Sequence, residues 1–209
     1  MKRLPYQAIT RAVLATGIAV FAGGILLTGG HPDLAWLRFA SVAAFLAVML
    51  LEVWERWAWK WPLLQRLRTV PKSVSGTWKG RLTSYWIDPA TGSPPQERVA
   101  YLVVRQTYST LTLTLLTEES KSGSSFASID LSPDGSWAIT QAYLNQPDMR
   151  VEHRSRMHRG AAILDIIGSP AATLRGRYWT DRDSKGELEF LEHRITRADD
   201  YRSASDLFQ

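Results

Sequence analysis

The 209-residue chain contains no cysteine, which excludes disulfides, thiolate zinc sites and cysteine nucleophiles. Histidine is scarce, and His31, His153, His158 and His193 show no metal-ligand spacing. No P-loop, nucleophile elbow, zincin helix or dinucleotide fingerprint appears. Asp181 and Asp183 form an Asp-x-Asp pair, but with no partner base or ligand cluster beside it the pair reads as turn chemistry. The sequence therefore gives catalysis no positive support: it predicts a protein that is not an enzyme and needs no cofactor or metal.

Charge is unevenly spread. Through Lys72 there are nine Lys/Arg against Asp33, Glu52 and Glu55, whereas the remainder is almost neutral. The basic balance belongs to the N-terminal segment, where Lys and Arg suit anionic headgroups. The C-terminal part lacks the positive footprint that long nucleic acids require.

From Ala12 to Gly30 no residue is charged, and Trp36 to Trp54 carries only Arg38 and Glu52. Runs of that length suit membrane spans. Gly-Gly-His-Pro-Asp makes a polar turn between them, and Trp54, Trp57, Trp59 and Trp61 suggest an interfacial aromatic belt. Lys2, Arg3 and Arg11 before the first run, with Arg56, Lys60, Arg66, Arg68 and Lys72 after the second, put both ends in the cytoplasm by the positive-inside rule. A signal peptide is the competing reading of the first run. Gly17, Gly23 and Gly24 are either helix contact points or tolerated glycines.

After Pro71 short alternating runs take over, separated by turn formers such as Ser132-Pro-Asp-Gly and Asp183-Ser-Lys-Gly. Eight strands are predicted: 76–86, 99–107, 111–117, 124–130, 136–144, 158–167, 173–180 and 187–193. With no crossover helix they suit a closed barrel or a sandwich. The expected fold is a two-helix transmembrane hairpin followed by an all-β, eight-stranded antiparallel up-and-down (lipocalin-like) barrel. The hairpin occupies residues 1–70 with spans near 12–30 and 36–54, the barrel 74–197, and a tail 198–209.

Alternation predicts which side chains face inward. Trp78, Gly80, Leu82, Ser84 and Trp86 share one face of the first strand; Leu174, Gly176, Tyr178 and Thr180 share one face of the seventh, with Arg182 following in register. Gly80 and Gly176 are expected to leave room inside. Eight strands enclose either a plug of side chains or one small ligand. Polar inward candidates Gln141, Tyr143, Asn145, Tyr178, Thr180 and Arg182 favour the ligand. For Arg182 taken alone, a solvated turn charge is the commoner case.

Ser75-Gly-Thr-Trp-Lys-Gly at the start, Tyr143-Leu-Asn-Gln-Pro and His158-Arg-Gly in the middle, and Gly176-Arg-Tyr-Trp-Thr-Asp-Arg near the end carry a resemblance. The chain resembles the SMODS-associating, two-transmembrane, β-strand-rich effectors, or minimal β-barrel effectors, of CBASS anti-phage defence. The resemblance implies a receptor at the bacterial inner membrane, whose barrel binds a cyclic dinucleotide made by a partner cyclic-oligonucleotide synthase. It implies that binding drives homo-oligomer formation, and that the helices then disrupt the membrane through contact with its lipid. By the same resemblance Arg182 meets a phosphate or base edge, Thr180 and Tyr178 hydrogen-bond the ligand, and Tyr143 stacks on it; Trp86, Gln141 and Asn145 complete the candidate set.

Two rivals remain. One is a membrane-tethered lipocalin-like carrier of a small hydrophobic ligand. The other is an adaptor with a filled barrel, working through an outer face that presents Tyr101, Arg105 and Arg177.

Overall fold

The computed structural model describes residues 6–27, 29, 36–87, 92, 96–153 and 155–209. They form two compact units, 1–59 and 60–209.

The first unit consists of helices α1 (Tyr6–Leu27) and α2 (Trp36–Arg56), packed against each other and followed by a short 3₁₀ turn. The transmembrane hairpin expected from the sequence is overturned: among the described residues no helix is long and apolar enough to cross a membrane. Charged residues shorten the apolar part of each helix. Arg11 lies inside α1, and the uncharged stretch from there to the helix end is about 24 Å at helical rise, short of a hydrocarbon core of roughly 30 Å. In α2, Arg38 near the start and Glu52, Glu55 and Arg56 near the end leave about 20 Å of uncharged helix.

Small side chains make the contact between the helices, with Ala43 and Ala47 buried. Gly24 is buried too. Within the chain, Gly17 and Gly23 are not close-contact points between the helices, because a Cβ added at either would meet nothing within 4 Å. Gly17 instead lines an apolar cavity of about 580 Å³ together with Phe21, Ile25 and Ala47. The expected tryptophan belt is divided: Trp57 and Trp61 are exposed, but Trp59 is fully buried, its Nε1 donating to the Glu55 carbonyl at 3.0 Å.

In the second unit a one-turn helix α3 (Pro62–Gln65) precedes eight strands: β1 (Gly76–Ser84), β2 (Gln96–Gln106), β3 (Leu111–Thr117), β4 (Ser120–Leu131), β5 (Trp137–Pro147), β6 (His158–Ile167), β7 (Thr173–Thr180) and β8 (Lys185–Arg194). Each pairs antiparallel with its sequence neighbours, and β1 pairs with β8, closing an up-and-down barrel. Closure leaves no strand edge to aggregate. The eight-stranded barrel expected from the turn spacing is therefore present.

Register fixes the interior. Trp78 lies opposite Leu102 and His193, Leu164 opposite Ile139 and Gly176, and Leu174 opposite Ile166 and Phe190. These rows fill the end of the barrel where β1 begins, which we call the base; Trp78, Leu102, Leu113, Ile139, Leu164, Leu174 and Phe190 are all fully buried there or at the waist. The incoming chain seals the base. Val74 donates its N–H to the Gln106 Oε1 at 2.8 Å, Gln106 Nε2 donates to the Lys72 carbonyl at 2.9 Å, and Trp78 Nε1 donates to the Val74 carbonyl at 2.8 Å.

Gly80 and Gly176 do not open space for a ligand. A Cβ on Gly80 would lie 2.6 Å from Phe190 Cα, and one on Gly176 2.9 Å from Leu164 Cα. Glycine is needed at both because the neighbouring backbone comes too close for a side chain. The β1–β8 register also shifts between Lys79 and Gly80, and such irregularities bend a strand sharply.

The run Tyr101-Leu-Val-Val104 is apolar at every position because β2 is covered on both sides. Leu102 and Val104 face the interior, whereas Tyr101 and Val103 belong to an outer cluster with Leu116, Ala198 and Ala204. That cluster is built by helix α4 (Tyr201–Asp206), which lies within the segment read as a tail. Tyr101 meets the rings of Tyr201 at 5.3 Å and Phe208 at 5.8 Å. Asp200 caps the helix, accepting the Ser203 N–H at 2.7 Å, while the Ser203 hydroxyl accepts the Asp200 N–H at 3.1 Å. Tyr101, expected on an exposed outer face, is therefore buried at 3% exposure.

Candidate functional site

The inner face changes character along the strands. Toward the end where β1 finishes, which we call the mouth, the inward rows become polar. On β5 the inner positions run Ile139, Gln141, Tyr143, Asn145; on β4 the partners are Ile129, Ala127, Ser124 and Ser122. On β7, Leu174 and Gly176 give way to Tyr178 and Thr180, which pair with Ala162 and Gly160 of β6. Gln141, Asn145 and Ser122 are buried, as are Tyr143 and Tyr178 at 8% each. An apolar base under a polar, concave upper half is the usual make-up of a small-molecule site.

Each tyrosine is laid flat by a glycine on the adjacent strand. A Cβ on Gly160 would strike the Cζ and hydroxyl of Tyr143, and one on Gly186 would come within 2.7 Å of Tyr178. Burial pushes the Tyr143 phenol far above its ordinary pKa, Tyr178 and Asp181 add to the rise, and Arg182 opposes it. Tyr178 is raised by burial as well, offset by a hydrogen bond to Ser84 and by the positive charge of Arg98. Both phenols are thus neutral hydrogen-bonding groups inside the barrel.

Asn145 has the most pointed geometry. Its Nδ2 donates to the hydroxyls of Ser122 at 2.8 Å and Ser120 at 3.0 Å. Its Oδ1 is buried and has no hydrogen-bond partner among the described residues. An orphaned buried acceptor is costly. Turning the amide over would leave its NH₂ orphaned instead, so in either orientation one polar end awaits a partner.

Arg182 stands in the turn between β7 and β8 and is exposed at the mouth. Its N–H donates to Thr180 Oγ1 at 3.2 Å and its Nη1 to the Arg156 carbonyl at 3.3 Å. Thr180 Oγ1 also lies 2.7 Å from the Ser184 hydroxyl, so this side chain organises the turn that carries Arg182. Asp181 is tied to β6: its Oδ2 accepts the Arg159 N–H at 3.1 Å, and its own N–H donates to the Arg159 carbonyl at 3.0 Å. His158 lies on the inner face opposite Asn145. Burial lowers its pKa, and Arg182 lowers it further against the opposing effects of the Arg156 carbonyl and Asp181.

The structure thus gathers Gln141, Tyr143, Asn145, Tyr178 and Thr180 on one inner face, with Arg182 at their rim. Trp86 is not among them: β1 ends at Ser84, and Trp86 lies beyond it, 49% exposed. Three groups escaped the sequence reading. Ser120 and Ser122 line the mouth because β4 begins at Ser120 rather than Ser124, and Arg98 faces inward because β2 begins at Gln96 rather than Val99. Their signal was parity. Arg98 keeps step with Ala100, Leu102 and Val104, as Ser120 and Ser122 do with Ser124.

The pairing across the mouth completes the picture. Arg98, opposite Leu82 of β1, forms an ion pair with Glu119 in the two-residue turn between β3 and β4. That turn is held in turn by the Asp148 N–H, which donates to the Glu119 carbonyl at 2.8 Å.

No curated protein matches the chain. Residues 69–192, more than half of the chain and nearly the whole barrel, match the family model described as Cap15, cyclic dinucleotide receptor domain. With its polar-mouthed barrel, the chain belongs to this family of CBASS effectors, whose defining domain is a receptor for cyclic dinucleotides.

Proposed function

We propose that the chain is a non-enzymatic effector whose barrel takes a cyclic dinucleotide into its polar upper half, and that occupancy drives self-association and disruption of the bacterial inner membrane. A cyclic-oligonucleotide synthase active during infection supplies the ligand. The observation that carries this reading is Asn145: its orphaned amide end lies on the inner face beside two neutral tyrosines, where a base edge supplies the missing partner. Tyr143 offers an aromatic face, Tyr178 a hydroxyl, and Arg182 a planar fork for phosphate. Thr180 contributes by holding Arg182 in its turn.

The output is mechanical, since a ligand shifts an assembly by binding the assembled form more tightly. The apolar residues exposed on the helical unit, among them Leu14, Ile18, Phe45 and Val48, are the surface that clustering concentrates against lipid. A carrier of hydrophobic molecules would need an apolar cavity in the barrel, and the apolar end is instead filled by its own side chains.

Calorimetry of the full-length protein with cyclic di-GMP, cyclic di-AMP and cyclic di-UMP, coupled to sedimentation, tests the proposal. Binding by at least one of them, together with larger assemblies, is expected. Arg182→Ala should weaken that binding by about 1.5–3 kcal/mol, as for hydrogen bonds to charged groups, with the melting temperature unchanged. Binding without assembly would refute the mechanism, and no binding at all would refute the ligand.

A further inference from the structure

The mouth of the barrel carries cationic groups at two places. In the β7–β8 turn stands Arg182, beside His158. Beyond β8 and β1, Arg98 rises from the inner face of β2. Its side chain is 39% exposed, and its guanidinium is engaged by Glu119, which is 28% exposed.

The position of Glu119 is set by the backbone. The β2–β3 ladder pairs Tyr101 with Leu116 and Leu102 with Leu115, and continuing that register brings Glu119 opposite Arg98. Inward parity on β3 runs Leu111, Leu113, Leu115, Thr117, and Glu119 follows in step. An arginine and a carboxylate are therefore matched across adjacent strands at the lip of the lumen. This is an unusual place for a structural ion pair, since partly exposed pairs add little stability, roughly 0–1 kcal/mol.

A cyclic dinucleotide has two phosphates, placed on opposite sides of its macrocycle, and Arg182 accounts for one of them. Resting on the ligand reading above, we propose that Arg98 anchors the second phosphate, and that Glu119 holds this guanidinium until the phosphate displaces it. The carboxylate acts as an internal competitor of like charge and similar planar reach. It keeps Arg98 oriented toward the lumen and makes binding depend on an anion strong enough to exchange with it. A ligand with two phosphates engages both arginines, whereas a mononucleotide held by Arg182 leaves the Arg98–Glu119 pair intact.

The test uses the full-length protein and the same three cyclic dinucleotides, with affinities measured by calorimetry and folding by thermal melting. Glu119→Gln removes the competing charge while keeping the shape of the side chain, and should bind the preferred ligand severalfold more tightly. Arg98→Gln should bind it at least about tenfold more weakly, as expected for a lost charge-assisted contact to phosphate. In the double variant the gain from Glu119→Gln should vanish. A purely structural ion pair would move both single variants in the same direction, so opposite signs distinguish the two roles. If Arg98→Gln does not fold, Arg98→Lys, which keeps the charge but loses the fork, should still weaken binding. Wild-type binding with no tightening in Glu119→Gln, or with no weakening at position 98, overturns this inference alone. Failure of the wild-type protein to bind any of the three overturns the ligand reading and this inference with it.

Discussion

The ring of Tyr143 on β5 lies across Gly160 on β6, so that any side chain at 160 would occupy the space of the phenol. The backbone of one strand thus serves as the floor on which the aromatic group of the next is set, a cross-strand pairing of aromatic with glycine. It orients the Tyr143 face in the polar upper half of the barrel.

Gly160→Ala should push Tyr143 out of that position. A loss of about 1–3 kcal/mol, typical of overpacking, is expected in denaturant unfolding, accompanied by weaker ligand binding. If affinity is unchanged while stability falls, Tyr143 packs the barrel without touching the ligand.

Asn145→Leu removes the two serine hydrogen bonds and, with them, the orphaned amide end. Because these effects oppose each other, stability should change by less than about 1 kcal/mol. Cyclic dinucleotide affinity should fall about tenfold or more, the cost of losing a buried polar contact. Titration calorimetry decides it, and retained affinity would remove Asn145 from the site.

Alkaline stability should report the buried phenols. A tyrosine whose folded pKa is raised contributes stability that is fully present below its unfolded pKa, near 10, and that is lost as pH rises through the folded value. Tyr143 and Tyr178 share this sign. The protein should lose stability progressively above pH ~10, and Tyr143→Phe should flatten that loss. Equal alkaline profiles for variant and wild type would show that Tyr143 ionises as freely in the fold as out of it.

Truncation after Arg197 should uncover Tyr101, Val103 and Leu116. Exposing that much apolar surface costs about 2–4 kcal/mol, read as a lower urea midpoint. Ligand affinity should be retained, since these side chains lie outside the lumen. A truncated protein of full stability would mean that α4 does not hold the barrel wall.

Most of the barrel could be read from turn residues and alternation: β3, β6 and β7 run over the residues the pattern predicts. The misses fall at the mouth, and for one reason. Alternation is legible when inward means apolar, and at the mouth inward means polar. Ser120-Lys-Ser-Gly-Ser therefore resembles a loop, and Arg98 resembles the flank of a strand rather than its interior. Tyr101 was misplaced for a different reason: its cover comes from a six-residue helix, too short for its periodicity to register. Gly80 and Gly176 were placed on the correct face, but the absence of a side chain there reflects backbone crowding. In the helical unit the sequence reading takes Arg11, Arg38 and Glu52 as charges at the ends of spans; the uncharged helix between them is shorter than a hydrocarbon core.

The chain enters and leaves the barrel at its base. Thr77 Oγ1 donates to the Thr196 carbonyl at 2.8 Å and accepts the Ala198 N–H at 3.0 Å, so the two ends are stitched side by side at the pole opposite the mouth. Entry to and exit from the strands therefore lie at the opposite end of the barrel from the rim of Arg98 and Arg182. Substitutions at the rim can thus alter what the mouth binds while leaving untouched the stitch that holds the two ends of the barrel together.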